Sequence, residues 1–115
     1  MRIELQGRNV ELNDELREAV TQRFKRVGKQ VSDLATLEVK LMEERNPSIA
    51  EKYVVDATLQ LKGKTLRAHE ATPEMVHSIH EAAEDIRRQV KRHRDKRRKR
   101  HQTRRIMARL RGSAA

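Results

Sequence analysis

The chain contains no cysteine. That removes a disulfide framework, a thiolate nucleophile and thiolate metal ligands. It has no tryptophan, one tyrosine and one phenylalanine. Phe24 recurs at helical spacing with Val20 and Val27 and reads as core, and Tyr53 falls at a strand start. A sheet that stacks bases on aromatic rings is therefore disfavoured. No run approaches the roughly 20 apolar residues a membrane span needs. The opening Met1 to Asn9 lacks the apolar stretch of a secretory signal, which makes the cytoplasm the default location. There is no glycine-rich phosphate loop and no Ser-His-Asp pattern that can be placed, so the chain does not read as an enzyme.

What is abundant is charge. The 115 residues carry 27 Lys+Arg against 17 Asp+Glu, a formal +10, with 38% charged and 36% apolar residues. That length fits one domain with a small core. The charge is uneven. From Arg87 to Arg111 there are 14 basic residues and one acid, Asp95, which gives +13. Residues 1–86 hold the remaining 13 basic and 16 acidic groups, which gives −3. A near-neutral body with a basic C-terminal segment points to a polyanionic partner, nucleic acid before an anionic membrane surface. The bland alternative is a solvated tail whose charge serves solubility. Ile106, Met107 and Leu110 come only near the end of that segment, so it lacks the bulky apolar face of a membrane-surface helix.

Ile3 and Leu5 alternate with polar residues and predict a short strand. Asn13 is an N-cap candidate, with Asp14 and Glu15 in the first turn. Leu16, Val20, Phe24 and Val27 recur at helical spacing, which predicts a helix from Asp14 to Val27, stopped near Gly28. Leu37, Val39 and Leu41 form a second strand, and Arg45 to Ser48 a loop. Val55, Ala57, Leu59 and Leu61 form a third. Gly63 supplies a hairpin turn into a fourth, Thr65 to His69. Thr72 followed by Pro73 predicts an N-cap with proline at the first helical position. The second helix carries the stripe Met75, Ile79, Ala82, Ala83, Ile86 and Val90. The predicted fold is α+β, a two-layer β-α-β-β-β-α arrangement. Four strands form one sheet, two helices pack on one face, and the second helix is extended and basic.

The stripe stops at Val90, yet nothing from His93 to Thr103 breaks a helix. The helix is expected to project beyond the sheet with charge on every side. At about 100° per residue from Ile86, Arg87, Lys91, Arg94 and Arg98 cluster about 80–140° round one flank. Arg88, Arg92 and Lys99 lie further round. On the first helix Lys25, Arg26 and Lys29 point away from the apolar face, with Arg23 at its edge, and could join them in one basic surface. Like charges at i,i+4 repel. The segment from Arg94 onward is therefore expected to fray in isolation and order against a polyanion. Arginine-rich chemistry favours phosphates over bases, and hence shape over sequence. His77 and His80 have metal-like i,i+3 spacing beside Glu81 and Glu84, but no further ligand follows. No metal and no cofactor are expected.

Four stretches, in order, resemble the ribosome hibernation-promoting factor family, which includes the ribosome-associated inhibitor proteins. They are Ile3 to Val10, Leu16-Arg17-Glu18, Leu66-Arg67-Ala68, and Arg88 to Lys96. The last is similar to the family's Arg-Gln-Leu-x-Lys-His-Lys-x-Lys run. The resemblance covers residues 1 to about 100. It implies binding to the small ribosomal subunit at the decoding region, in competition with messenger and transfer RNA. It implies no small-molecule substrate and no membrane. By position it makes Arg23, Arg26, Lys29, Arg87, Arg88, Lys91, Arg92, Arg94 and Lys96 the RNA contacts, to which the charge pattern adds Lys25, Arg98 and Lys99. It divides the chain into a ribosome-binding domain, 1–96, and a basic extension, 97–115. Either a short-type factor or the first domain of a long one fits. Val76, His80 and Asp85 depart from the family pattern, where Tyr, Asp and Lys are common. A double-stranded-RNA binder has a similar order of elements and is the alternative, though its loop signatures are not evident.

Overall fold

A computed structural model describes residues 1–113, with the side chains of 1–100 and 102–107. The reading of Leu110 therefore lies outside the described side chains. The elements are β1 (Arg2–Arg8), α1 (Asp14–Arg23), α2 (Lys25–Gln30), β2 (Thr36–Glu43), β3 (Tyr53–Leu61), β4 (Lys64–Thr72) and α3 (Met75–Ser113). The sheet runs in the order β1-β2-β3-β4. β1 lies parallel to β2, with Ile3 opposite Leu37 and Leu5 opposite Val39. The two remaining pairings are antiparallel. The order is the expected one, except that the first helix is split.

Alternation along the strands builds the core. Leu37, Val39 and Leu41 of β2, Val55, Ala57 and Leu59 of β3, and Leu66 and Ala68 of β4 are buried on one face. Ile79, Ala82, Ala83, Ile86 and Val90 of α3 meet them, joined by Val20, Phe24 and Val27. Burying each larger side chain stabilises the fold by roughly 1.5–3 kcal/mol. The residues between the core positions, such as Glu38, Lys40, Asp56 and Arg67, face the other way and leave that side of the sheet polar. There Asp56 and His69 pair across β3 and β4.

The predicted helix over Asp14–Val27 is two helices. Asn13 caps the first as expected, its Oδ1 accepting from Leu16 N at 2.9 Å. Phe24 interrupts the run at φ −92°, ψ 3°. Its ring is wholly buried, and Val20 and Val27 reach the core on the same face. Gly28 does not stop the helix, which continues to Gln30. Gly63 does make the turn before β4, at φ 75°. Gly7 is required for a different reason: a Cβ there would lie 2.7 Å from the Val10 carbonyl oxygen.

Thr72 ends β4 and its Oγ1 accepts from Glu74 N at 3.2 Å, while α3 begins at Met75, two residues beyond Pro73. Thr72 Oγ1 also lies 2.7 Å from the hydroxyl of Ser78, which donates to the Tyr53 carbonyl at 2.6 Å. Ser78 is fully buried. The pair ties the first turn of α3 to the start of β3, and the hydrophobic pattern gave no hint of it.

α3 has 39 residues, about 58 Å at ~1.5 Å per residue. It accounts for the molecule's extents of 71 × 28 × 18 Å. Val90 is its last buried residue among those described; His93 and Arg94 are half-buried, and each residue from Asp95 to Arg100 is exposed. The stripe thus ends where the sequence ends it. Here the helix runs continuously to Ser113. Arg and Lys are good helix formers, and Thr103 donates its hydroxyl to the Lys99 carbonyl at 2.9 Å within the helix.

Candidate nucleic-acid interface

α1 and α2 pack alongside α3. Arg23, Lys25, Arg26 and Lys29 are all exposed on them. On α3, Arg88, Lys91, Arg92, Lys96, Arg98 and Lys99 are exposed, whereas Arg87 and Arg94 are half-buried. All twelve cations are therefore placed on helices. On α3 they follow two flanks, one beside α1 and α2 and one beside β4, with Arg88 and Lys99 on the outward side between them.

The first strip follows the seam between α1/α2 and α3. Arg23 Nη1 lies 3.5 Å from His80 Nδ1 across that seam. Glu84 is held below the ordinary carboxylate range by its hydrogen bond with Arg87, and further by the charges of Arg87, His80 and Arg26. The Arg87–Glu84 bond is 2.8 Å. One acid is thus shared among cations from both helices. At helical spacing Arg87, Lys91, Arg94 and Arg98 continue this flank outward. Among the described residues, nothing hydrogen-bonds the buried Nε of Arg87 or Arg94. Arg87 is partly committed to Glu84. Lys91 and Arg98 have no ion-pair partner among the described residues.

The second strip lies on the β4 side. Gln89 Nε2 donates to the Arg67 carbonyl at 2.7 Å and to Asp85 Oδ1 at 3.1 Å, fixing that flank of α3 against β4. Arg92 and Lys96 follow it and share a cleft with Lys64 and His93. Lys64 and His93 are absent from the cations singled out by sequence. Lys64 belongs to the hairpin and carries no helical signal. The visible clue was the pair Lys62 and Lys64 around Gly63.

Where α3 leaves the body, Val31, Leu34, Leu61 and Val90 line a groove of about 650 Å³ rimmed by His93, Arg94 and Arg97. His77 and His80 do not converge on shared ligands: His77 Nε2 pairs with Glu81 at 3.8 Å, and His80 meets Arg23. No group of three or more His, Asp or Glu suited to a metal occurs among the described residues. None of the described helices is long and apolar enough to cross a membrane. Phe24 is enclosed in the core and Tyr53 is half-buried at the start of β3, so neither presents an open ring for stacking. The chemistry on display is cationic donors in rows, suited to phosphates.

Residues 3–98 match the family described as Sigma 54 modulation protein / S30EA ribosomal protein. The ribosome hibernation promoting factor of Salmonella typhimurium is 29% identical over 96 residues, which cover 84% of this chain and 96% of that protein. The ribosome hibernation promotion factor of Picosynechococcus is 25% identical over 97 residues, 84% of this chain but 50% of that protein. The chain thus spans half the length of that relative. The crystal structure of the N-terminal domain of Thermus thermophilus Protein Y superposes with a TM-score of 0.68 at 27% identity, covering 80% of this chain and 98% of that one. A ribosomal subunit interface protein from Coxiella burnetii gives 0.70 at 19% identity, covering 83% and 99%, and bears on the fold alone.

Proposed function

The chain belongs to the Sigma 54 modulation protein / S30EA ribosomal protein family, and from that premise we propose that it is a ribosome hibernation factor. It binds the small ribosomal subunit at the decoding region, where its basic helices contact ribosomal RNA and occlude messenger and transfer RNA. Residues 1–96 form the ribosome-binding unit and 97–115 a basic extension. The protein acts in the cytoplasm, with ribosomes, by occupancy rather than catalysis. The observation that carries this reading is the run of α3 beyond Val90, with exposed cations on all sides of an unbroken helix. Beside the seam cations it offers two rows of donors to folded RNA.

Sedimentation with isolated small subunits tests it. Saturable binding near one per subunit, lost on adding transfer RNA or messenger, is the expected result. Equal binding to any naked duplex would support the double-stranded-RNA reading instead. Vesicles of anionic lipid should not compete. If six to ten phosphates are contacted, affinity falls by about 10³–10⁵ between 50 and 200 mM salt.

A further inference from the structure

Lys64 opens β4 directly after the turn at Gly63. Arg92, His93 and Lys96 lie on α3 just beyond the end of its apolar stripe. With Gln89 and Leu66 they line a cleft of about 170 Å³. Three permanent cations and an imidazole converge there from two elements. No carboxylate lines it. The space is large enough to admit a phosphate group. The floor is Leu66, itself only 5% exposed, so a bound anion would be partly shielded from solvent.

We propose that this cleft receives a backbone phosphate of RNA, and that His93 takes up one proton from solvent as the phosphate binds. The inference rests on the RNA-binding reading above. It adds Lys64, outside the helices, and it adds a dependence on pH.

His93 is half-buried. Burial holds its pKa below the ordinary histidine value, and the charges of Arg97, Lys64, Arg100 and Lys96 push the same way. Arg92 and Arg94 flank it on α3, and Lys62 stands across the adjoining groove. Asp95 is two residues on and about 160° round the helix, and Asp85 is held by Gln89 at 3.1 Å. The free protein therefore favours neutral imidazole. A phosphate brings negative charge among those cations and an acceptor for an imidazolium N–H, which favours the protonated ring. The pKa in the complex is then above that in the free protein, and binding tightens as pH falls between the two. Each unit of difference is worth about tenfold in affinity.

The test uses the intact chain. The imidazole of His93 is titrated by NMR alone, with a short RNA hairpin, and with inorganic phosphate. Small-subunit affinity is measured at pH 6 and pH 8 for wild type, His93→Gln and Lys64→Ala. The expected result is a His93 midpoint raised by RNA at concentrations where inorganic phosphate has no effect. Wild type should bind subunits more tightly at pH 6 than at pH 8, by up to about tenfold per unit of that rise, and His93→Gln should lose this gain. Lys64→Ala should raise the midpoint in the free protein, because one repelling cation is gone, and should weaken binding. A midpoint that RNA leaves in place overturns the proposal, as does a pH dependence that survives in His93→Gln. Equal shifts with RNA and inorganic phosphate would assign the cleft to a free anion. A chain that binds the RNA hairpin with these shifts but never binds subunits would refute the ribosomal reading and leave the cleft assignment standing.

Discussion

The body and the arm of this protein are built on opposite rules. Up to Val90, α3 has a buried face against the sheet and a carboxylate, Glu84, to neutralise the cations at its seam. Beyond it, from Asp95 to Arg100, each residue is exposed and the only acid is Asp95. The body spends its sequence on apolar contacts and the arm spends it on charge, yet one helix runs through both. Along α3 the core contacts end at Val90 while the cations continue, so substitutions beyond Val90 should change binding and leave the fold in place.

The largest expected effect comes from the charge side. Reversing Lys91, Arg92 and Arg94 to Glu removes three charge-assisted contacts at ~1.5 kcal/mol or more each, hence about a thousandfold in small-subunit affinity. The melting temperature should stay close to wild type. A large drop in melting temperature would break the comparison, because it would show that arm charges help hold the body together. Next comes the core. Ile86→Ala, at a fully buried position, should cost about 2–5 kcal/mol in urea unfolding. Binding should be normal wherever the variant remains folded; weak binding by a fully folded variant would mean that body packing sets the arm's grip. Ser78→Ala is smaller, about 1–3 kcal/mol, because it strands the Tyr53 carbonyl and frees the first turn of α3. Amide exchange should accelerate at that turn and remain unchanged beyond Val90.

The smallest effect sits on the seam. Glu84 has a lowered pKa through its bond with Arg87. Its stabilising contribution is therefore present above the ordinary carboxylate pKa and is lost as pH falls through the lowered, folded-state value. Glu84→Gln should cost under about 1 kcal/mol at neutral pH, and the gap to wild type should close in strongly acidic solution. A gap that persists there would mean packing, rather than charge, is what Glu84 supplies.

Much of this division was written in the chain. Alternation at Leu37, Val39 and Leu41 or at Val55, Ala57 and Leu59 has a single stable reading once one face is buried. The end of the stripe at Val90 was equally plain. The break at Phe24 was not, because a ring at the right helical position says nothing about the backbone dihedrals there. Helical spacing separated the flanks of α3 but could not say what each flank meets. Which flank of α3 meets α1 and which meets β4 is a fact of tertiary packing, shown by Arg23 beside His80 and by Gln89 on the Arg67 carbonyl. Lys64 was missed for the same reason: it approaches Arg92 only once the hairpin has folded under α3.

The continuity of α3 has a consequence for how the arm finds its target. In an unbroken helix, sequence number is also phase. Removing one residue between Val90 and Arg97 would turn everything beyond it by about 100° and draw it in by ~1.5 Å. The arm would keep nearly all its charge, but its rows would face elsewhere. Because Ile86 and Val90 clamp the near end of the helix, the core fixes the compass bearing of each cation along the arm, and a partner of fixed shape meets them as an array in register.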